Sequence, residues 1–234
     1  MTARRPVRRC PPLNRRGGFT FTDLLVTLAA LSVIGVLIVT PIVAAKRKAR
    51  LAQCTANLQQ VSQAILKFAT ENNQTLPDVS ADQRGDLWWW YKEPVKAYAG
   101  LTGASSAADK VFACPDDRGY TDPKPFHANA RFDFTSYVLN AVNLPGMPNI
   151  VGWRVPTVNQ PQRTLLVMEW TAHAPLSWHK SRTGKRNLPF YCDAESVVGF
   201  VDGHVSFTKI YYDGFDAAFT RDPIAGYDYK YSGN

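Results

Sequence analysis

Beyond the first 18 residues, the groups able to do chemistry are three cysteines (Cys54, Cys114, Cys192), four histidines (His127, His173, His179, His204) and a set of loop carboxylates. Cys192, His204 and Asp202 would supply a nucleophile, its base and an orienting acid, but Asp202 and His204 flank a tight turn. No nucleophile elbow or oxyanion glycine motif surrounds Cys192, so the chain reads as a non-enzyme. The histidines lack His-x-x-x-His spacing and there is no Cys-x-x-Cys, so no zinc site is expected. Asp116, Asp117 and Asp122, or Asp213 and Asp216 with the carbonyls around Gly214, offer oxygen ligands for calcium. Calcium takes roughly six to eight oxygens, and neither loop has the Asp-x-Asp-x-Asp-Gly pattern. Solvated turns and no cofactor are the expectation, with calcium at Asp213 and Asp216 the weaker one. The run Trp88-Trp89-Trp90-Tyr91 cannot turn every indole to one core. Core packing or an interfacial anchor is the preferred reading over exposure for glycan contact, as in a surface adhesin.

The elements that must position these groups begin with an uneven charge distribution. The 234-residue chain carries a formal net charge of +8, yet six arginines lie in the first 18 residues, leaving 21 cations against 19 acids beyond them. A nucleic-acid partner, the usual inference from a basic chain, is therefore not expected. Residues 24–45 hold no charge and run straight into Lys46-Arg47-Lys48. At ~1.5 Å per residue these 22 residues span ~33 Å, enough for a bilayer core of ~30 Å. Both flanks are basic, and the positive-inside rule modestly favours a cytoplasmic N-terminus. A secretory signal would have a shorter apolar stretch, about 7 to 15 residues, although Ala44-Ala45 imitates its cleavage site. Asp23, at the edge of the apolar run, is costly in lipid unless paired, which marks it as functional. The alternative is a first-turn acid that favours the helix dipole.

From Lys46 the apolar positions Leu51, Cys54, Leu58, Val61, Ile65 and Phe68 follow at spacings of 3 and 4. That stripe continues the helix beyond the membrane. A kink is expected at Pro41, and an end near Asn72-Asn73, before Leu76-Pro77. The outer half is expected to pack on the chain's own sheet rather than form a coiled-coil dimer. Residues 75–234 form the head, with strands expected at 136–140, 163–170, 197–201 and 205–212 and a short helix at 94–100. Asp202 and Gly203 form the turn of a hairpin, whose buried face would combine Val198, Phe200, Val205 and Phe207. The fold class is α+β: a long N-terminal transmembrane helix packed on a mainly antiparallel β-sheet head.

The stretch Arg15-Arg16-Gly17-Gly18-Phe19-Thr20-Phe21-Thr22-Asp23-Leu24-Leu25-Val26 resembles the cleavage and N-methylation signature of type IV prepilins, including the pseudopilins of type II secretion. The resemblance implies a cleaved leader (1–18), a long helix (19–74, membrane part about 19–45) and a pilin-like head (75–234). A prepilin peptidase and N-methyltransferase would cut between Gly18 and Phe19 on the cytoplasmic side and methylate the Phe19 amine. The protein would be a structural subunit, held in the inner membrane with a cytoplasmic N-terminus and periplasmic head. An assembly platform would then draw it, with other pseudopilin subunits, into a secretion or pilus-like filament. Asp23, where the family usually has Glu, would pair with the Phe19 amine of a neighbouring subunit.

Further segments resemble the prepilin-like proteins of planctomycetes and verrucomicrobia, whose hallmark is a His, nine residues, then Asp-Gly. They are residues 48–61 with Asn72, Asn73, Leu76 and Pro77, then Cys114-Pro115-Asp116-Asp117, Ser136-Tyr137-Val138-Leu139-Asn140, and Phe200-Val201-Asp202-Gly203-His204-Val205. Asp116 replaces a Ser of that pattern, and Cys192 stands at the hallmark His position. With Cys10 lost in the leader, three cysteines would be exported to a compartment that permits disulfides. Cys114 with Cys192 is the favoured pair, since it gives the substitution at Cys192 a rationale. Cys114 with Cys54 is the other serious pairing.

Overall fold

The computed structural model describes residues 18–78, 89–119, 124–142, 146–173, 177–179, 194–211 and 222–234, apart from the side chains of 36–37. Residues 1–17, Trp88, Asp122, Cys192, Asp213 and Asp216 lie outside the described residues. The protein is α+β, with a long apolar N-terminal helix and a four-stranded antiparallel sheet. It divides into two compact units, residues 1–45 and 46–234.

In the first unit, helix α1 (Phe21–Glu71) begins. Its apolar side chains here are exposed, among them Leu25, Leu31, Ile34, Val39 and Ile42. They are distributed around the helix, a pattern shared by membrane spans and by helices buried among other protein elements. This stretch is long and apolar enough to cross a membrane. Pro41 removes one helical hydrogen bond, yet α1 continues through it to Glu71.

In the second unit the outer half of α1 carries the stripe read from the sequence: Cys54, Leu58, Val61 and Ile65 are buried, with Leu51 and Phe68 partly so. Asn73 and Gln74 take positive φ of 57° and 62° and end the helix. Helix α2 (Lys92–Val95) is followed by a 3₁₀ turn, Lys96–Ala99, within the stretch expected to be helical.

The sheet runs β1 (Tyr137–Leu139), β2 (Leu165–Glu169), β3 (Ala194–Phe200) and β4 (Val205–Ile210), in that spatial order. Its registers align Tyr137 with Glu169, Leu139 with Val167, Val167 with Gly199 and Val197 with Phe207. Residues opposite one another point to the same side, so these share the face on which the outer half of α1 lies. Tyr137 fixes that contact by donating its phenol hydrogen to the Cys54 carbonyl, 3.2 Å away.

The β3–β4 hairpin closes through a loop of residues 201–203, in which Phe200 N–H donates to His204 O and Gly203 N–H to Phe200 O, each 2.9 Å. Gly203 has φ +93°, the conformation that suits glycine. This corrects the expected buried face. Val198 faces Ser206, and Phe207 instead shares the opposite face with Val197. A register one residue different moves every side chain of a strand to the other side. Val198 and Phe200 are buried, whereas Phe207 is 38% exposed.

Trp89 is part of the core, its ring 5.1 Å from Trp170 and 5.5 Å from Phe132. Trp90 is half-buried.

Candidate functional site

Two places gather the residues singled out by type or motif. The first is the start of α1. Gly18 and Phe19 are exposed, with no neighbour within 4 Å of where a Gly18 side chain would begin. Thr20 and Asp23 form a reciprocal cap. The Asp23 carboxylate accepts from Thr20 N–H (2.8 Å) and Thr20 Oγ1–H (2.7 Å), while Asp23 N–H donates to Thr20 Oγ1 (3.2 Å). Such a capping box satisfies backbone donors that the first turn would leave open. Within a single chain, then, Asp23 acts as the first-turn acid that the sequence offered as its second role.

The second place is the junction of α1 with the head. Cys54 lies on the buried stripe where the loop after Phe112 crosses it, and the two backbones approach closely enough for a disulfide, Cys54 with Cys114 (Cα–Cα 4.7 Å). The favoured pairing of Cys114 with Cys192 is thereby corrected: α1 presents Cys54 directly to Cys114, a contact between distant parts of the chain. Asn57, one turn further along α1, donates to Lys110 O (3.0 Å) and Ala113 O (2.7 Å). Gln59 donates to Gly203 O at the hairpin tip (2.8 Å). Arg50 pairs with Asp116 at 3.2 Å.

Beside the disulfide lies His179. Its Nε2 is 2.8 Å from Glu169 Oε1 and its Nδ1 is 3.1 Å from Asp116 Oδ2, with Cys114 Sγ 3.9 Å from Nε2. Burial opposes charge on this imidazole, but the hydrogen bonds and charges of Glu169 and Asp116 outweigh it and raise its pKa above the ordinary histidine value. The other Glu169 oxygen accepts from Val197 N–H (2.9 Å).

Asp117, offered above as a calcium ligand, is a buried staple. Its carboxylate accepts from Gly119 N–H, His127 N–H and Ser136 Oγ–H, at 2.9, 3.0 and 2.7 Å. Ser136 Oγ also accepts from Cys114 N–H. Asn140 donates to Leu165 O and Tyr231 O, tying β1 to β2 and to the C-terminal segment. Asp117, Ser136, Tyr137 and the Asn140 amide N–H groups of the Ser-Tyr-x-x-Asn and Cys-Pro-Asp-Asp segments therefore hold backbone and helix in place.

Asp202 and His204 do interact, at 2.6 Å, but both are solvent-exposed at the hairpin tip, and the His204 ring stacks on Phe200 (4.2 Å). Sequence reasoning missed His179 and Glu169 as partners. The available signal was Glu169 itself, the one ionisable group in the apolar run of β2. It also missed Lys92, fully buried, paired with Asp109 (2.9 Å) and donating to Asp133 O (2.8 Å). Burial lowers the Lys92 pKa, and its acidic neighbours oppose that shift. No protein-family model, curated protein or solved structure matches this chain.

Proposed function

We propose that the protein is a structural subunit of a type IV pilus-like or type II secretion filament, processed from a prepilin-type precursor. The observation that carries this reading is the division of labour along α1. One half exposes apolar side chains around its whole circumference, and the other is locked to a folded head by Cys54–Cys114, Asn57, Gln59 and Tyr137. A helix so built can leave lipid and pack against copies of itself while the head travels with it. The exposed Gly18-Phe19 segment ahead of the Thr20–Asp23 cap is accessible to a peptidase and methyltransferase. In this reading the N-terminus is cytoplasmic and the head periplasmic. The partners are the processing enzyme, other pseudopilin subunits and the inner-membrane assembly platform. Asp23 exchanges its capping role for the Phe19 amine of a neighbour, since a carboxylate and an ammonium in lipid are each expensive alone.

Mass analysis of the N-terminus of membrane-fraction protein tests the proposal. A start at N-methyl-Phe19 supports it; an intact Met1 or a start near Lys46 contradicts it.

A further inference from the structure

Cys54, Cys114, His179 and Glu169 each bring one donor atom into a cluster in which all four lie within 4.8 Å of one another. They come from four separate places in the second unit: α1, the loop after Phe112, the segment before residue 180, and β2. The side chains are 0% exposed at both cysteines and Glu169 and 4% at His179. Two sulfurs, one imidazole nitrogen and one carboxylate oxygen supply the number and type of donors that a four-coordinate zinc site uses, with sulfur at about 2.3 Å and nitrogen or oxygen at about 2.0–2.2 Å.

We propose that, when the Cys54–Cys114 disulfide is reduced, this junction binds one Zn²⁺ through Cys54, Cys114, His179 and Glu169. The helix–head joint then has two alternative closures, a covalent bond and a metal. The inference does not depend on the filament reading.

The surroundings already orient the donors. His179 Nδ1 faces Asp116 Oδ2, so Nε2 points toward Glu169 and Cys114. A carboxylate behind a ligating histidine is the usual outer support of a zinc site. Val197 N–H holds Glu169 Oε2, leaving Oε1 toward the cluster. Arg50 sits on Asp116 and balances part of the added negative charge. A surface cleft lined by Arg50, Asp116, Arg118, Trp178, His179 and Phe207 reaches His179 and supplies a path for the ion.

The chemistry balances without redox change at the metal. A dithiol reductant opens the disulfide by two thiol–disulfide exchanges and leaves as its own disulfide, giving Cys54 and Cys114 two electrons and two protons. Zinc then takes both sulfurs as thiolates. The two thiol protons, and the proton joining His179 Nε2 to Glu169, pass to water.

The test uses the full chain in detergent, reduced with a dithiol, freed of it under inert gas, and titrated with Zn²⁺ or Co²⁺. Native mass spectrometry should show one metal per reduced chain and none on the oxidised chain. Cobalt should give thiolate charge-transfer absorption. Asp116→Asn should weaken zinc binding by about 10- to 100-fold with an unchanged circular dichroism spectrum. His179→Gln and the Cys54→Ser/Cys114→Ser pair should abolish stoichiometric uptake. Reduced wild-type chain that takes up no stoichiometric metal overturns the proposal, whether it stays folded or unravels, because metal binding to such a site would itself restore the fold. Uptake undiminished in the Cys54→Ser/Cys114→Ser pair also overturns it, by assigning the metal to Cys10 or Cys192.

Discussion

The hydroxyl of Ser62 on α1 fills the space that a side chain on Gly199 of β3 would need. Helix and sheet approach so closely there that only glycine fits, and Val167 flanks the same spot. Gly199→Ala should destabilise the protein by about 1–3 kcal/mol, the usual cost of overpacking a filled interior. Ser62 Oγ has no hydrogen-bond partner among the described residues, so Ser62→Ala loses little and makes room. The double variant should recover most of the loss in chemical denaturation; equal destabilisation of the single and double variants would contradict the contact.

The Cys54–Cys114 bond closes a sequence separation of 60 residues. In the chain-entropy model a loop of that size contributes about 4 kcal/mol by restricting the unfolded chain. Cys54→Ser/Cys114→Ser should lower oxidised-state stability by roughly this amount in metal-free buffer. Non-reduced peptide mapping should recover a Cys54–Cys114 cross-link, and finding Cys114 joined to Cys192 instead would refute the pairing.

His173 should contribute to acid sensitivity, beside Glu93 and Asp109, whose pKa values, against the effect of burial, are lowered by their partners in the fold. An unfolded chain protonates His173 near its ordinary value of 6.5, whereas in the folded chain burial pushes its pKa down to about 3. Between those values the unfolded state holds more protons. The His173 contribution to stability must therefore fall as pH drops from about 6.5 toward 3, by at most about 1.4 kcal/mol per pH unit. Asp133 works in the other direction. Burial raises its pKa from 3.8 to about 6, so the folded state takes its proton first and stability rises as pH falls through that window. Urea denaturation across this range should show a shallower acid loss in His173→Asn than in wild type, and an identical slope would exclude the assignment.

At the other end of α1, Asp23→Asn keeps an acceptor for Thr20 N–H but removes the charge. If the filament reading holds, cleavage between Gly18 and Phe19 continues and filament recovery drops by an order of magnitude or more, because the neighbouring ammonium loses its counter-charge in lipid. Normal filament yield from Asp23→Asn would leave Asp23 with the cap alone.

The sequence by itself determined the features that depend on neighbours along the chain. The uncharged stretch at 24–45 dictates a lipid-compatible helix, and the 3–4 spacing from Leu51 to Phe68 dictates a buried face, because both are patterns of one continuous helix. The hairpin was legible from Asp202-Gly203 between two apolar runs. Its register was not: the loop is 201–203 rather than Asp202-Gly203-His204, and Val198 pairs with Ser206 while Phe207 pairs with Val197. Tertiary structure alone decided that Cys54 meets Cys114 and that His179 stands between Glu169 and Asp116. Those partners lie on different elements and share no local spacing. They converge where α1 packs closely on the sheet, Ser62 against Gly199, which brings residues distant in sequence within bonding reach.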